Sequence, residues 1–287
     1  MSTFLEHMQK IAAQPVHNGC QWFLMIDCAV NLKTNLAREL QLDIPAVDLL
    51  TLMPVDWLHC VSPVLLQLPI DTISHTKNSA WQQFMQRWQY TNALTLLESS
   101  LPFEQLSQAL HNRTNALLPD TMDVILRFFD TRTLAALINI LNPEQLALFT
   151  SIAWQWIYID RYGKAQTLQA NRSGIADQFL PPLKFNTLQE TQLIDAGEVD
   201  AMVNLLINQD DSQLIRLMPP KQYELISNLL SSAKKYQIHQ LTEQAAFCRV
   251  GLGLGGDFHL QNPWNTELVA VTTGKQTFTN LLEAIVV

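Results

Sequence analysis

Residues 124–141 read VILRFFDTRTLAALINIL, and the stretch changes character at Asp130. Before it lies an apolar, β-prone run broken only by Arg127. After it, Leu134, Leu137, Ile138 and Leu141 recur at helical spacing and define one apolar face. The junction predicts a strand followed directly by a helix, which is the signature of a mixed layer of sheet and helices. Asp130 is placed to cap the helix, where a carboxylate accepts free N–H groups and opposes the positive end of the dipole. Arg127 and Arg132 flank it. Two arginines around one acid are either a charged site or a brace. An arginine inside an apolar run is costly to bury without a partner. An acid, or carbonyls at a helix end, would satisfy its five donors. The brace explains all three residues without a ligand.

Working outward, apolar runs of strand length recur at 22–28 (WFLMIDC), 64–68 (VLLQL), 93–97 (ALTLL) and 155–159 (QWIYI). Segments of helical spacing lie between them, as in 103–117, where Phe103, Leu106, Leu110 and Leu117 share a face. Asn142-Pro143-Glu144 reads as an N-cap, a proline at the first helical position and an acidic first turn. Residues 1–169 are therefore expected to form an α/β lobe, a central sheet with flanking helices. Residues 170–187, ANRSGIADQFLPPLKFNT, read as a linker. Residues 188–287 read as a smaller, all-helical lobe. Its apolar stripes are Leu193, Val199, Val203 and Leu206; then Tyr223, Ile226, Leu229 and Leu230; then Ile238, Leu241, Ala245, Cys248 and Leu252. Met218-Pro219-Pro220 separates two of these helices.

Apolar residues make up 48% of the 287 and charged residues 15%, which predicts a sizeable core rather than disorder. The net charge of −8, with Lys and Arg scattered along the sequence in no run longer than Lys234-Lys235, argues against nucleic acid as a partner, because phosphate neutralisation needs clustered cations. No apolar run reaches the ~18 residues that insertion into a bilayer requires. MSTFLEHMQKIAAQ mixes charges into its apolar positions and does not read as an export signal. The four cysteines form no CxxC pair, which suits reduced thiols in a cytoplasm.

Three aspartates end strand-like runs: Asp27, Asp130 and Asp160. Carboxylates at strand ends could hold a magnesium ion for hydrolysis or phosphoryl transfer. Against this, no DxD pair occurs and no lysine is placed to neutralise phosphate. Polar residues that cap helices or open turns, as DRYG at 160–163 does, account for the same pattern. The run GLGLGG at 251–256 follows a helical stripe rather than a strand, has the wrong spacing for a dinucleotide fingerprint, and reads as a turn leaving a helix. No GxSxG elbow and no metal-ligand spacing of histidines occurs. No catalytic residue, metal or cofactor is expected. Trp81, Phe84, Met85 and Trp88 form one wide apolar helical face, which reads as core, or else as an aromatic groove for a partner's segment.

Together, WFLMIDCAV and VILRFFDTRTLAALINILNPEQLALFTSIAWQWIYIDRYG resemble the adaptor and effector-chaperone family of bacterial type VI secretion. The hallmarks are an early strand ending in Asp27, the segment Leu126-Arg127-Phe128-Phe129-Asp130-Thr131-Arg132-Thr133-Leu134, and a strand running from Trp156 through Asp160 to Gly163. Thr131 stands where that family usually has proline. The resemblance implies a non-enzymatic, cytoplasmic protein without cofactor. Its partners would be a cognate toxic effector, held by an N-terminal segment, and a VgrG-type spike onto which the effector is loaded. It also implies a larger α/β lobe beside a smaller helical one.

Overall fold

The computed structural model describes residues 16–17, 19–30, 45–50, 62–68, 79–170 and 177–286, with Glu6 and Lys10. The chain divides into two compact units, Met1–Ile194 and Asp195–Val287. The first is a sheet with helices and the second is helical throughout, as the periodicities predict.

The main sheet contains β1 (Gln21–Ile26), β2 (Ala46–Asp48), β3 (Val64–Leu68), β4 (Leu94–Ser99), β7 (Gln155–Ile159) and β8 (Ala165–Gln169). Their order is β2-β3-β1-β4-β7-β8, and every neighbouring pair is antiparallel. The central strands are buried without alternation because both faces are covered. Phe23, Met25, Leu97 and Trp156 enter one core, while Trp22, Leu24, Leu96 and Ile157 enter the other. The helix α1 (Ser79–Trp88) lies over the second face through Phe84 and Trp88. The first face is covered by α2 (Phe103–Asn112), α3 (Thr131–Ile140) and α4 (Pro143–Thr150). The cap expected at Asn142 is present as a full capping box: its side chain accepts from Gln145 N–H, and Gln145 accepts from Asn142 N–H.

A second, small sheet joins β5 (Asn115–Leu117), β6 (Asp123–Ile125) and β9 (Leu183–Lys184) in the order β6-β5-β9. It corrects the expected strand over 124–129. Only Asp123–Ile125 is extended, in this small sheet, and Phe128 and Phe129 turn inward with their rings edge to face. The segment 170–187 differs from the linker reading as well. Phe179, Leu183 and Phe185 are buried in the first unit's core, and β9 pairs with β5.

In the second unit, α5 (Thr187–Asn208, whose first turns belong to the first unit), α6 (Ser212–Ile215), α7 (Pro219–Lys235), α8 (Leu241–Leu254), α9 (Trp264–Thr272) and α10 (Phe278–Val286) enclose one core. The predicted stripes supply part of it, and Phe247, Phe258, Trp264 and Phe278, outside them, supply its buried aromatic residues. Leu193 instead packs on the first unit's core, and Leu241, the first residue of α8, is exposed. The glycine run is divided in function. Gly251 and Gly253 are helical, and Gly255 ends α8 at φ +108°. Among the described residues, no helix is long and apolar enough to cross a membrane.

Candidate functional site

β1 and β7 both flank β4 antiparallel, so they run parallel to one another. Their carboxyl ends, Asp27 and Asp160, therefore lie at the same end of the sheet. The junction before α3 is tied to that end. Thr131 N–H donates to Asn92 O (2.8 Å), at the turn leading into β4, and its hydroxyl donates to Ile159 O at the end of β7. This Thr131 is the departure from the family pattern. Proline has no N–H and could not make the first bond. The helix cap is Asp130, as its position in the sequence predicts.

Asp27 follows five consecutive buried residues and is itself 1% exposed. Its N–H donates to Ala93 O. Its Oδ1 accepts from Ala29 N–H (3.0 Å) and its Oδ2 from Arg127 Nη2 (2.8 Å). Burial pushes the carboxyl pKa up, and the Arg127 charge and the Ala29 N–H oppose that only in part. Arg127 spans from this buried acid to the surface: its guanidinium lies over the Phe129 ring at 5.4 Å and its side chain is 46% exposed.

Asp130 accepts from Arg132 N–H (3.0 Å), capping α3, while Arg132 Nε and Nη2 close on the same carboxylate at 2.9 and 2.6 Å. The brace reading of the opening motif thus has two separate pairs, Arg127 with Asp27 and Arg132 with Asp130. Asp160 builds a turn: Oδ1 accepts from Tyr162 and Lys164 N–H, and Oδ2 from the Gln166 amide. Gly163 closes that turn at φ +73° and sits hard against Gln89 and Tyr90. Trp156 is fully buried, packs on Phe128 and Phe149, and donates Nε1–H to Thr150 O (3.2 Å).

Each strand-end aspartate is engaged by N–H donors rather than turned toward a shared centre. Among the described residues no three His, Cys, Asp or Glu side chains are grouped to hold a metal ion. Cys28, next to Asp27, is a thiol that burial pushes up to about 12, which is the environment of an inert cysteine.

The aromatic face of α1 needs a correction. Phe84 and Trp88 are each 1% exposed and stack on one another within the core of the sheet's second face, so they do not form a groove for a partner. The side chains of Trp81 and Met85 lie outside the described residues.

Two buried polar clusters escape sequence reasoning. Arg113, following α2, is fully buried and holds Asp177 through Nη1 (2.8 Å) and Nη2 (2.7 Å). Glu98, on β4, is also buried; it accepts from His17 N–H and Nδ1 and from the Gln155 amide, and His17 stacks on Trp154. Neither has a local signature, because the partners are 64 and 81 residues apart.

A family model described as "Domain of unknown function (DUF4123)" matches residues 22–148. The match takes in Asp27, Arg127, Asp130 and Arg132, and ends before Trp156, Asp160 and Gly163. No curated protein matches the chain, and no solved structure does.

Proposed function

We propose that this chain is an effector adaptor of bacterial type VI secretion. It binds a cognate toxic effector in the cytoplasm of the producing cell, through a segment near the effector's N-terminus, and helps to load it onto a VgrG-type spike. The observation that carries the reading is the family match over residues 22–148, which spans the first two hallmark segments of the adaptor resemblance. The geometry around those hallmarks supports it. Asp27, Arg127, Asp130 and Arg132 are bonded to each other and to backbone, an arrangement that maintains a scaffold rather than one that moves a proton or attacks a bond. The function is then recognition. A segment that folds on binding gives up part of its contact energy to ordering, which suits a cargo that must later be released.

The test is co-expression with the toxin encoded beside this chain, followed by pull-down and light scattering. A stoichiometric, soluble complex is expected. A folded effector that shows no association at micromolar concentrations sinks the reading. Magnesium titration by calorimetry addresses the rival hydrolase. Saturable binding abolished by Asp27→Asn and Asp130→Asn would favour the enzyme.

A further inference from the structure

The two edges of the small sheet are finished differently. Its order is β6-β5-β9, so β9 and β6 are the outer strands. At β9, Lys184 O faces away from β5 and accepts from Gln145 Nε2 (2.9 Å), the side chain that also closes the capping box of α4. At β6 the outward groups are bare. The register identifies them. Leu126 N–H donates to Thr114 O and Leu118 N–H to Met122 O. Ala116 lies opposite Val124. Residues 122, 124 and 126 therefore turn their backbone toward β5, and alternation directs the N–H and C=O of Asp123 and Ile125 away from the sheet. Among the described residues nothing bonds these four groups. Edge strands that must stay single are blunted by charge, above all lysine, by proline or by a bulge. β6 has no proline and no bulge, and its one charge is Asp123. Ile125, on the same face as Asp123, is 40% exposed, and Met122, on the face of Val124, is 56% exposed. Asp120 adds a second carboxylate in the hairpin turn, where its Oδ1 accepts from Met122 N–H. Of the cations nearest in the sheet, Arg127 is answered by Asp27, and Lys184 stands two strands away on β9.

We infer that β6 is a docking edge for an extended segment of a protein partner, which adds to the small sheet as a fourth strand. Asp123 and Ile125 offer it four main-chain hydrogen-bonding groups in strand register. Its own side chains alternate. Those on one face meet Ile125 and Asp123, and those on the other meet Val124 and Met122. The segment that fits is apolar, with a lysine or arginine opposite Asp123, because opposite charges on neighbouring strands attract and like charges repel. Such a strand would cover both exposed apolar side chains and satisfy the edge at once. A second copy of this chain fits less well, since β6 has no cation to set against Asp123. The main-chain bonds supply affinity, while the side chains beside Asp123 and Ile125 select the sequence. The inference rests on the adaptor reading only for the owner of the segment, which would be the effector.

The test titrates the full chain into the fluorescein-labelled peptide KTIVKITK and follows anisotropy, with its fully N-methylated counterpart and the acidic ETIVEITE alongside. Saturable binding of KTIVKITK is expected, with slowed hydrogen–deuterium exchange in the fragment spanning residues 118–126. The N-methylated peptide keeps the side chains but has no N–H, and should bind about tenfold more weakly or worse; the acidic peptide should lose a similar factor. Ile125→Pro removes one outward N–H and leaves the bonds to β5, made at residues 122, 124 and 126, so affinity should fall by about fivefold. Asp123→Lys should weaken KTIVKITK and strengthen ETIVEITE, each by about threefold or more. Glu267→Lys, at an exposed position in the helical unit, should change neither. Thermal melts show whether Ile125→Pro folds; where it does not, Asp123→Lys and the N-methylated peptide decide. Absence of saturable binding overturns the proposal, and so does equal affinity for KTIVKITK and its N-methylated form. A dimer of the chain that Ile125→Pro dissolves also overturns it, by assigning the edge to a second copy. The titration needs no effector. Its failure removes this edge and leaves the effector pull-down to judge the adaptor reading.

Discussion

Replacing Asp177 by asparagine should be among the most damaging single changes in the first unit, although neither sequence pattern nor family motif marks the position. Arg113 is 0% exposed and Asp177 19%. The guanidinium donates Nε–H to Phe149 O (2.6 Å), Nη1–H to Ala109 O (2.8 Å) and Nη2–H to Leu148 O (3.0 Å), and its remaining donors meet both Asp177 oxygens. The Phe179 ring covers it at 4.6 Å. Asparagine keeps the shape but removes the only formal countercharge in this set, and its NH2 group opposes an arginine donor. Leaving a buried charge unpaired costs about 3–5 kcal/mol. Because Asp177 is partly exposed, some solvent screening already operates, and about 2–4 kcal/mol is the better expectation. Urea unfolding followed by tryptophan fluorescence isolates the unit, since every tryptophan but Trp264 lies in it. Burial alone would raise the Asp177 pKa, but the Arg113 bonds and charge, with Phe179 N–H and Ser151, outweigh it and hold the carboxyl below its usual value. A depressed folded pKa gives stability that is present above the unfolded value, about 3.9, and is lost as pH falls through the folded value. The gap between wild type and Asp177→Asn should therefore narrow below about pH 4. A loss under about 1 kcal/mol at neutral pH, or a gap that widens in acid, would refute the reasoning.

Three further outcomes follow from geometry at named positions. Gly163→Ala places a methyl 2.8 Å from Gln89 Cγ and 2.9 Å from a Tyr90 ring carbon at φ +73°; a loss of about 2 kcal/mol is expected in urea unfolding, and a neutral result would contradict the close approach. Gly251→Ala pushes a methyl into both Leu229 methyls, which are buried in the second core, and should lower the second unit's melting temperature by an amount corresponding to about 1–3 kcal/mol, read by calorimetry. Asp27 has the opposite pH sign to Asp177. Its raised folded pKa means that the folded state takes up the proton first, so stability falls as pH rises from the unfolded value, about 3.9, through the folded one. Asp27→Asn should flatten that slope, and an unchanged slope counts against the burial argument.

What was legible in the sequence was whatever burial made uniform. β1, β3 and β7, and β4 over Leu94–Leu97 apart from Thr95, are apolar at nearly every position because both faces of the sheet are covered, and an apolar run needs no partner to be recognised. β2, β5, β8 and β9 were missed. They are short or, like Ala165–Gln169 (AQTLQ), polar strands at the rim, where one side chain in two meets water and pairing is decided by a distant segment. The run 124–129 misled for a related reason. Phe128 and Phe129 are both buried, as in a central strand, yet they achieve this in a turn where the Phe128 ring packs on Phe129, Phe149 and Trp156. The aromatic face of α1 shows the converse. Helical spacing identified the stripe, but only the packed sheet distinguishes a stripe that is core from one that waits for a partner.

The motif residues looked catalytic in sequence because arginines and aspartates close together are also the material of active sites. Folding separates the two meanings. Asp27 and Asp130 each capture a different arginine, and Thr131, by giving its N–H to Asn92 and its hydroxyl to Ile159, locks the start of α3 to β4 and β7 together. A proline at this position would fix φ but lose both bonds. Thr131→Pro therefore tests the lock directly. It should cost about 2–4 kcal/mol by urea unfolding, the loss of two buried hydrogen bonds with Asn92 O and Ile159 O left unpaired, offset in part by a stiffer unfolded chain. A loss under about 0.5 kcal/mol would mean that the two bonds are dispensable and that apolar contacts alone hold the start of α3 to the sheet.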